Sequence, residues 1–214
     1  MRDFDEAVRH LNKVGFVPKT VIDIGVAWGT PALYETWPDA YFVLIEALPK
    51  FERHLRQMLT GMTGELHMVA VSDRPGTTTI HVDDNPDRSA TASLLWPDGK
   101  GTPYDITIET IDRLLSDRSF EGPALMKTDI QGFDLKALNA AEATLERIDV
   151  VIAEASLFTP QNLVSPMIAF MESRGFHLYD ICGPICRPYD NALGQVDLVF
   201  CSERSGLRDY DRWQ

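Results

Sequence analysis

Five short apolar runs limit what this chain can fold into: TVIDIG (20–25), YFVLIE (41–46), ELHMVAVS (65–72), ALMKTDI (124–130) and DVVIAEAS (149–156). Most are nearly continuous rather than alternating, as expected of parallel strands covered on both faces. Between them lie segments with helical spacing. PKFERHLRQML (49–59) places Phe51, Leu55, Met58 and Leu59 on one stripe, and FDLKALNAA (133–141) repeats it with Leu135 and Leu138. SPMIAFMESRG (165–175) is expected to start with Ser165 as N-cap and Pro166 at the first helical position, and to stop at Gly175. Residues 3–14 read as an extra helix laid before the first strand. Strand, helix, strand repeated in this way predicts an α/β fold: a mostly parallel sheet with right-handed crossovers and helices on both faces.

Two stretches break the rhythm. Residues 73–122 form a long insertion between the third and fourth core strands, in which TTTIHV (77–82) and YDITIE (104–109) are expected to pair. Near the end, GFHLYDIC (175–182) and QVDLVFC (195–201) follow each other with no helix between them, which predicts an antiparallel pair at the sheet edge. The simplest organisation is one domain over 1–214, with 1–18 as an N-terminal helical extension and 73–122 as an insertion or lid. Composition narrows the function classes. No apolar run reaches the roughly 18 residues needed to span a membrane, and the start MRDFDEAVRH is too acidic for a signal peptide. Twenty basic against 32 acidic residues, a net charge of −12, argue against nucleic-acid binding. Three cysteines, Cys182, Cys186 and Cys201, are odd in number, confined to the C-terminal third and without redox CxxC spacing, so a reducing, cytoplasmic setting is expected.

Ligands of open α/β sheets sit beyond the carboxyl ends of the strands. The first strand delivers D-x-G-x-A-x-G there, from Asp23 through Gly25, Ala27 and Gly29, followed by Thr30 and Pro31 as a helix start. Small residues let a ligand approach the backbone. A nicotinamide dinucleotide would want G-x-G-x-x-G, and its pyrophosphate would be repelled by Asp23. S-adenosylmethionine has no phosphate and carries an ammonium and a sulfonium, so a carboxylate beside the turn attracts it, directly or through water. Glu46, closing the second strand, is placed to accept from both ribose hydroxyls. Ala47 and Leu48 are expected against one adenine face, and Ala70 to Ser72 against the other, with Asp73 near the exocyclic amine or in a turn.

The motifs VIDIGVAWGT, LIEALP, AVSD, TASLL, MKTDIQGFDLKALNAA, VVIAEASLF and RPYDNALGQVDLVF resemble, in order, those of FkbM-type methyltransferases over about residues 15–201. Most specific are KTDIQGFD, against the family's K-x-D-[VI]-[EQ]-G-x-E, and LGQVDLVF. The resemblance implies a Rossmann-like class I fold with an antiparallel C-terminal hairpin, S-adenosylmethionine as cofactor, and O-methylation of sugar or polyketide hydroxyls. Ala27 stands where many members have Asn, and Asp134 where Glu is commoner.

Chemistry is expected at the ends of strands one, four and five. A sugar hydroxyl is too weak an acid to ionise beforehand, so a base must take its proton as the C–O bond forms. Asp129 is the first candidate and Glu154 the second. Asp129 is alternatively a helix cap, and Lys127 is expected to point away or pair locally. Two adjacent carboxylates invite Mg²⁺, but no third ligand stands out, so no metal residue is assigned. Ser89, Thr91, Ser93 and Trp96 are candidates for an acceptor lid; Arg187, Tyr189, Asp190 and His81 are further candidates for the acceptor side. Two other functions remain beside methyl transfer to a saccharide or metabolite: a nicotinamide-dependent oxidoreductase, and a non-catalytic adenosine-cofactor binder.

Overall fold

The computed structural model describes residues 1–82 and 101–209. The chain runs α1 (Phe4–Lys13), β1 (Thr20–Ile24), α2 (Pro31–Thr36), β2 (Tyr41–Glu46), α3 (Pro49–Leu59), β3 (Gly64–Met68), β4 (Ala70–Val71), β5 (Gly76–Val82) and β6 (Thr102–Glu109). It continues through α4 (Ile111–Leu114), β7 (Ala124–Thr128), α5 (Asp134–Leu138), α6 (Glu142–Leu145), β8 (Val150–Ser156), α7 (Val164–Ser173), β9 (Phe176–Cys186) and β10 (Leu193–Ser202).

The main sheet has the order β3-β2-β1-β7-β8-β10-β9, parallel except for β10, which runs antiparallel to both of its neighbours. Every residue of β1, β7 and β8 is buried, which is why these strands read as unbroken apolar runs. Two cores flank the sheet. One holds Val8 and Leu11 of α1, Leu33 of α2, and Phe51 and Leu55 of α3; the other holds Ile111, Leu138, Leu145, Met167 and Met171 from α4 to α7. Each such side chain contributes about 1.5–3 kcal/mol by leaving water. The first helix is fixed by a reciprocal cap: the Asp3 carboxylate accepts from Glu6 N–H at 2.7 Å, and the Glu6 carboxylate accepts from Asp3 N–H at 3.1 Å.

Three boundaries differ from the sequence expectation. The third strand divides at Val69: β3 pairs with β2, whereas β4 pairs with β6 in a separate three-stranded sheet, order β4-β6-β5. The expected pairing of β5 with β6 holds, from Gly76↔Ile108 to Val82↔Thr102. Helix α7 starts at Val164, so Leu163 rather than Ser165 is the N-cap, because Leu163 is held by a bridge to Ser156 at the end of β8. Pro166 then sits later in the first turn, where helical N–H groups lack partners anyway, and Gly175 follows the helix at φ +78°. The C-terminal strands extend beyond the apolar runs that mark them, leaving a shorter connection between Cys186 and Leu193. Among the described residues no helix is long and apolar enough to cross a membrane.

Candidate active site

Strand order reverses between β1 and β7, and a cleft of about 630 Å³, counting its mouth open to solvent, lies at the carboxyl ends of these strands. Its wall includes Gly25, Ala27, Glu46, Ala47, Leu48, Ala70, Asp129 and Gln131, with Phe51, Val69, Val71, Ile80, Ile106 and Phe133 as the apolar lining. Ile80 and Ile106 come from β5 and β6, so the insertion builds part of this wall.

Backbone geometry explains the small residues. Gly25 has φ +77°, and a Cβ there would fall 1.9 Å from the Asp129 carbonyl oxygen. Glycine is required by the approach of two chain segments, not only by a ligand. Ala27 takes φ +48°, the left-handed region that Asn and Gly tolerate better. Its N–H donates to Glu46 Oε2 at 2.8 Å, and Leu48 N–H donates to Oε1 at 2.8 Å. Burial pushes the Glu46 carboxyl upward, although these backbone donors, including that of Ala47, oppose it.

Asp23 occupies a different place from the one its sequence suggested. It is fully buried and does not line the cleft. Tyr34 O–H donates to its Oδ2 at 2.6 Å, and Lys127 Nζ lies 3.3 Å from its Oδ1. Register explains this: Asp23 and Lys127 are direct partners on β1 and β7, so their side chains share one face. The Asp23 charge is met inside the protein and is not presented to a ligand. Lys127, expected to point away or pair locally, pairs locally, and also donates to the Gly25 carbonyl at 3.1 Å.

Gly29 (φ +109°) and Ser72 also lie off the wall. A Cβ at Gly29 would press on Met58 and Tyr34, and the Ser72 hydroxyl donates to Asp73 at 3.2 Å. Asp73 pairs with Lys136 at 3.4 Å instead of facing the cleft. Thr30 makes no side-chain cap, and neither it nor Pro31 reaches the wall. His81 is not on the wall either. Arg187 stacks over the Phe158 ring at 3.6 Å and pairs with Asp190, while Tyr189 is exposed. Ser89, Thr91, Ser93 and Trp96 lie outside the described residues.

The two candidate bases are brought together. Gln131 Nε2 donates to Asp129 Oδ1 at 2.9 Å and to Glu154 Oε2 at 3.3 Å. Gln195 Nε2, from β10, donates to the same Glu154 oxygen at 2.7 Å. Their environments drive the pair apart. Burial acts to raise Asp129, but the Lys127 charge and hydrogen bonds from Glu154 and Gln131 win and hold it below the usual range. Burial, and then the Asp129 charge and hydrogen bond, push Glu154 up to about 10. Burial and the neighbouring charges thus favour the proton on the Glu154 side and the anion on the Asp129 side. Asp129 is not a helix cap, since α5 begins at Asp134.

Several participants were given no role by the sequence. Asn162 is fully buried, donating to Asp134 Oδ2 at 3.2 Å and to the Glu154 carbonyl at 2.8 Å, while its own oxygen accepts from Leu135 N–H at 3.1 Å. Asp134 accepts from Ile130 N–H at 3.2 Å and is raised to about 7, by burial and then by the Asp129 charge. Asp197 faces Glu154 across β10 and β8 and is raised to about 6, again by burial and then Asp129. Asp134 stood out in the sequence only as a departure from the family's glutamate, and Asn162 and Asp197 gave no signal of a role. Among the described residues no group of three or more His, Cys, Asp or Glu side chains is arranged to hold a metal ion.

Residues 23–178 match the Methyltransferase FkbM domain. The chain belongs to the FkbM methyltransferase family. A methyltransferase FkbM from Methylobacillus flagellatus KT superposes with a TM-score of 0.53 at 15% identity, over 85% of this chain and 43% of that one. This chain thus spans less than half of that FkbM protein. Magnesium protoporphyrin IX methyltransferase from Synechocystis PCC 6803, solved with bound SAM, superposes with a TM-score of 0.54 at 9% identity, over 93% and 77% of the two chains. No curated protein sequence matches. Membership of the FkbM family sets the nicotinamide oxidoreductase reading aside and agrees with the sheet order and antiparallel β10.

Proposed function

We propose that this FkbM family member transfers a methyl group from S-adenosylmethionine to a hydroxyl of a saccharide or secondary metabolite. The observation that carries the reading is one cleft in which an apolar wall, the buried Glu46 carboxylate and the anionic Asp129 meet.

The donor set fits an adenosine. A carboxylate has about four acceptor positions, and the backbone N–H groups of Ala27, Leu48 and Ala47 do not use them all, so acceptor capacity remains on Glu46 for a ribose hydroxyl. Ala47, Leu48, Ala70, Val71 and Ile106 offer a flat heterocycle apolar contact. Glu46, Gly25, Ala27, Ala47 and Ala70 would hold the cofactor, with Asp23 acting from behind through Lys127. S-adenosylmethionine supplies an activated methyl group on a sulfonium.

The chain's own work is alignment and proton removal. Asp129 accepts the acceptor's hydroxyl proton, a contribution of about 10²–10⁴-fold. Glu154, neutral at the same pH, donates to Asp129 and is itself held by Gln131 and Gln195. Divergent ionisation of neighbouring carboxyls is how one acid–base pair divides its roles. A base is needed for a hydroxyl and not for an acceptor already nucleophilic, which favours O-methylation.

Isothermal titration calorimetry tests the cofactor reading. S-adenosylhomocysteine should bind and NAD should not, and E46Q should weaken the former by about tenfold or more, the loss of a hydrogen bond to a charged group. Binding of NAD without response to S-adenosylhomocysteine refutes it.

A further inference from the structure

Lys127 is a buried cation behind the cleft wall, and its three contacts tie together parts of the site that the chain supplies from different strands. Its ammonium donates to the Gly25 carbonyl at 3.1 Å, and lies 3.3 Å from Asp23 and 3.9 Å from Asp129. Its side chain is only 9% exposed, whereas that of Asp129 is 38% exposed and faces the cleft.

We propose that Lys127 is a positioning residue that clamps the turn after β1 onto the end of β7 and keeps Asp129 anionic. The inference rests on Asp129 being the base. It goes beyond that reading by assigning one residue to both cofactor turn and base.

The backbone supports the clamp. Asp129 N–H donates to the Ile24 carbonyl at 3.0 Å, and Gly25 packs without a Cβ against the Asp129 carbonyl. Lys127 adds a charge-assisted bond on the other side of the same turn, so Gly25 is held both by β7 and by the loop that follows it. A buried ammonium is expensive unless it is paired, and here Lys127 donates to the Gly25 carbonyl and has the Asp23 and Asp129 carboxylates within 4 Å.

Most of the charged groups around Asp129 repel its charge. Asp134 on α5 and Asp197 on β10 are acids that disfavour a further negative charge nearby, whereas Glu154 on β8, neutral, donates to Asp129. Among the described residues Lys127 is the sole cation that lowers Asp129. Burial by itself would favour the neutral form of Lys127, but Asp23, Asp129 and Asp134 hold it protonated. Tyr34 bonds the other Asp23 oxygen, so Asp23 keeps the ammonium within reach of the turn rather than recruiting a ligand.

The test is a carbon-13 titration of the aspartate carboxyl resonances, with the Asp129 signal identified as the one D129N removes, alongside calorimetry with S-adenosylhomocysteine. In the unmodified protein Asp129 should ionise below the ordinary aspartate range; a midpoint at or above that range overturns the proposal. In K127M the midpoint should move up and S-adenosylhomocysteine affinity should fall about tenfold, the loss of one charge-assisted hydrogen bond. Because K127M strands Asp23 without its cation, D23N/K127M removes both charges and should show the same two changes. A folded D23N/K127M protein with Asp129 titrating as in the wild type, or with unchanged affinity, overturns the proposal. Neither readout uses a methyl acceptor, so failure of the base assignment shows separately, as full transfer activity in D129N.

Discussion

Replacing Gly25 by alanine places a methyl carbon 1.9 Å from the Asp129 carbonyl oxygen and 2.8 Å from the carbonyl carbon, where real Cβ atoms keep at least 3.0 Å. The turn must retreat by about 1.1 Å, the difference between 3.0 and 1.9 Å. Two bonds depend on its position: Asp129 N–H to Ile24 at 3.0 Å and Lys127 to Gly25 at 3.1 Å. Their loss costs about 1 kcal/mol and about 1.5–3 kcal/mol respectively. The left-handed φ of +77° adds about 1–2 kcal/mol for any residue with a Cβ. Together these give about 3.5–6 kcal/mol. Gly15 provides the control, having φ +94° and nothing within 4 Å of the point a Cβ would occupy, so G15A carries the backbone cost alone. Urea unfolding of both variants, followed by circular dichroism, should give G25A an excess of about 2.5–4 kcal/mol over G15A. An excess under about 0.5 kcal/mol, the scatter of neutral substitutions, would refute the claim that the β1 turn is held against Asp129.

Three further outcomes follow from the same geometry. Glu154 binds a proton more tightly folded than unfolded, so it lowers stability as pH rises from its ordinary value near 4.5 towards about 10; E154Q should remove that share, gaining on the wild type in denaturation at pH 9 relative to pH 5, and parallel pH curves would contradict it. Asparagine is better tolerated than alanine at φ +48°, so A27N should raise stability by up to about 1 kcal/mol in the same unfolding assay, with the Glu46 bond to the residue-27 N–H preserved. D129N should lower kcat by about 10²–10⁴-fold in a methyl-transfer assay while S-adenosylhomocysteine affinity changes little; an unchanged kcat rejects Asp129 as base.

Much of the sheet was legible because burial on both faces leaves an unbroken apolar signature, and β1, β7 and β8 carry it. The break at Val69 was not legible, since β3 and β4 follow each other with one residue between them and only the partner strand tells them apart. Helix α7 begins early for a similar reason: Leu163 is placed by a bridge to β8, a contact between distant segments that no local capping rule contains. At the site, strand-end carboxylates announced themselves, and Asp129, Glu154 and Glu46 do stand at the ends of their strands. Orientation was a different matter. Charge alone directs Asp23 at a ligand, yet its real partner, Lys127, lies across the sheet on a neighbouring strand. Gln195 and Asp197 meet Glu154 only because β10 runs antiparallel in one register, information that pairing holds and spacing does not. Asn162, in the loop before α7, gave no signal at all.

A crystal structure of the protein with S-adenosylhomocysteine tests the central claim most directly. The nucleoside should lie in the cleft between β1, β2 and β7, with both ribose hydroxyls within about 3 Å of the Glu46 carboxylate and Asp129 on the open side facing the sulfur. A nucleoside bound elsewhere, or Glu46 bonded only to the Ala27 and Leu48 amides with the ribose turned away, would contradict it.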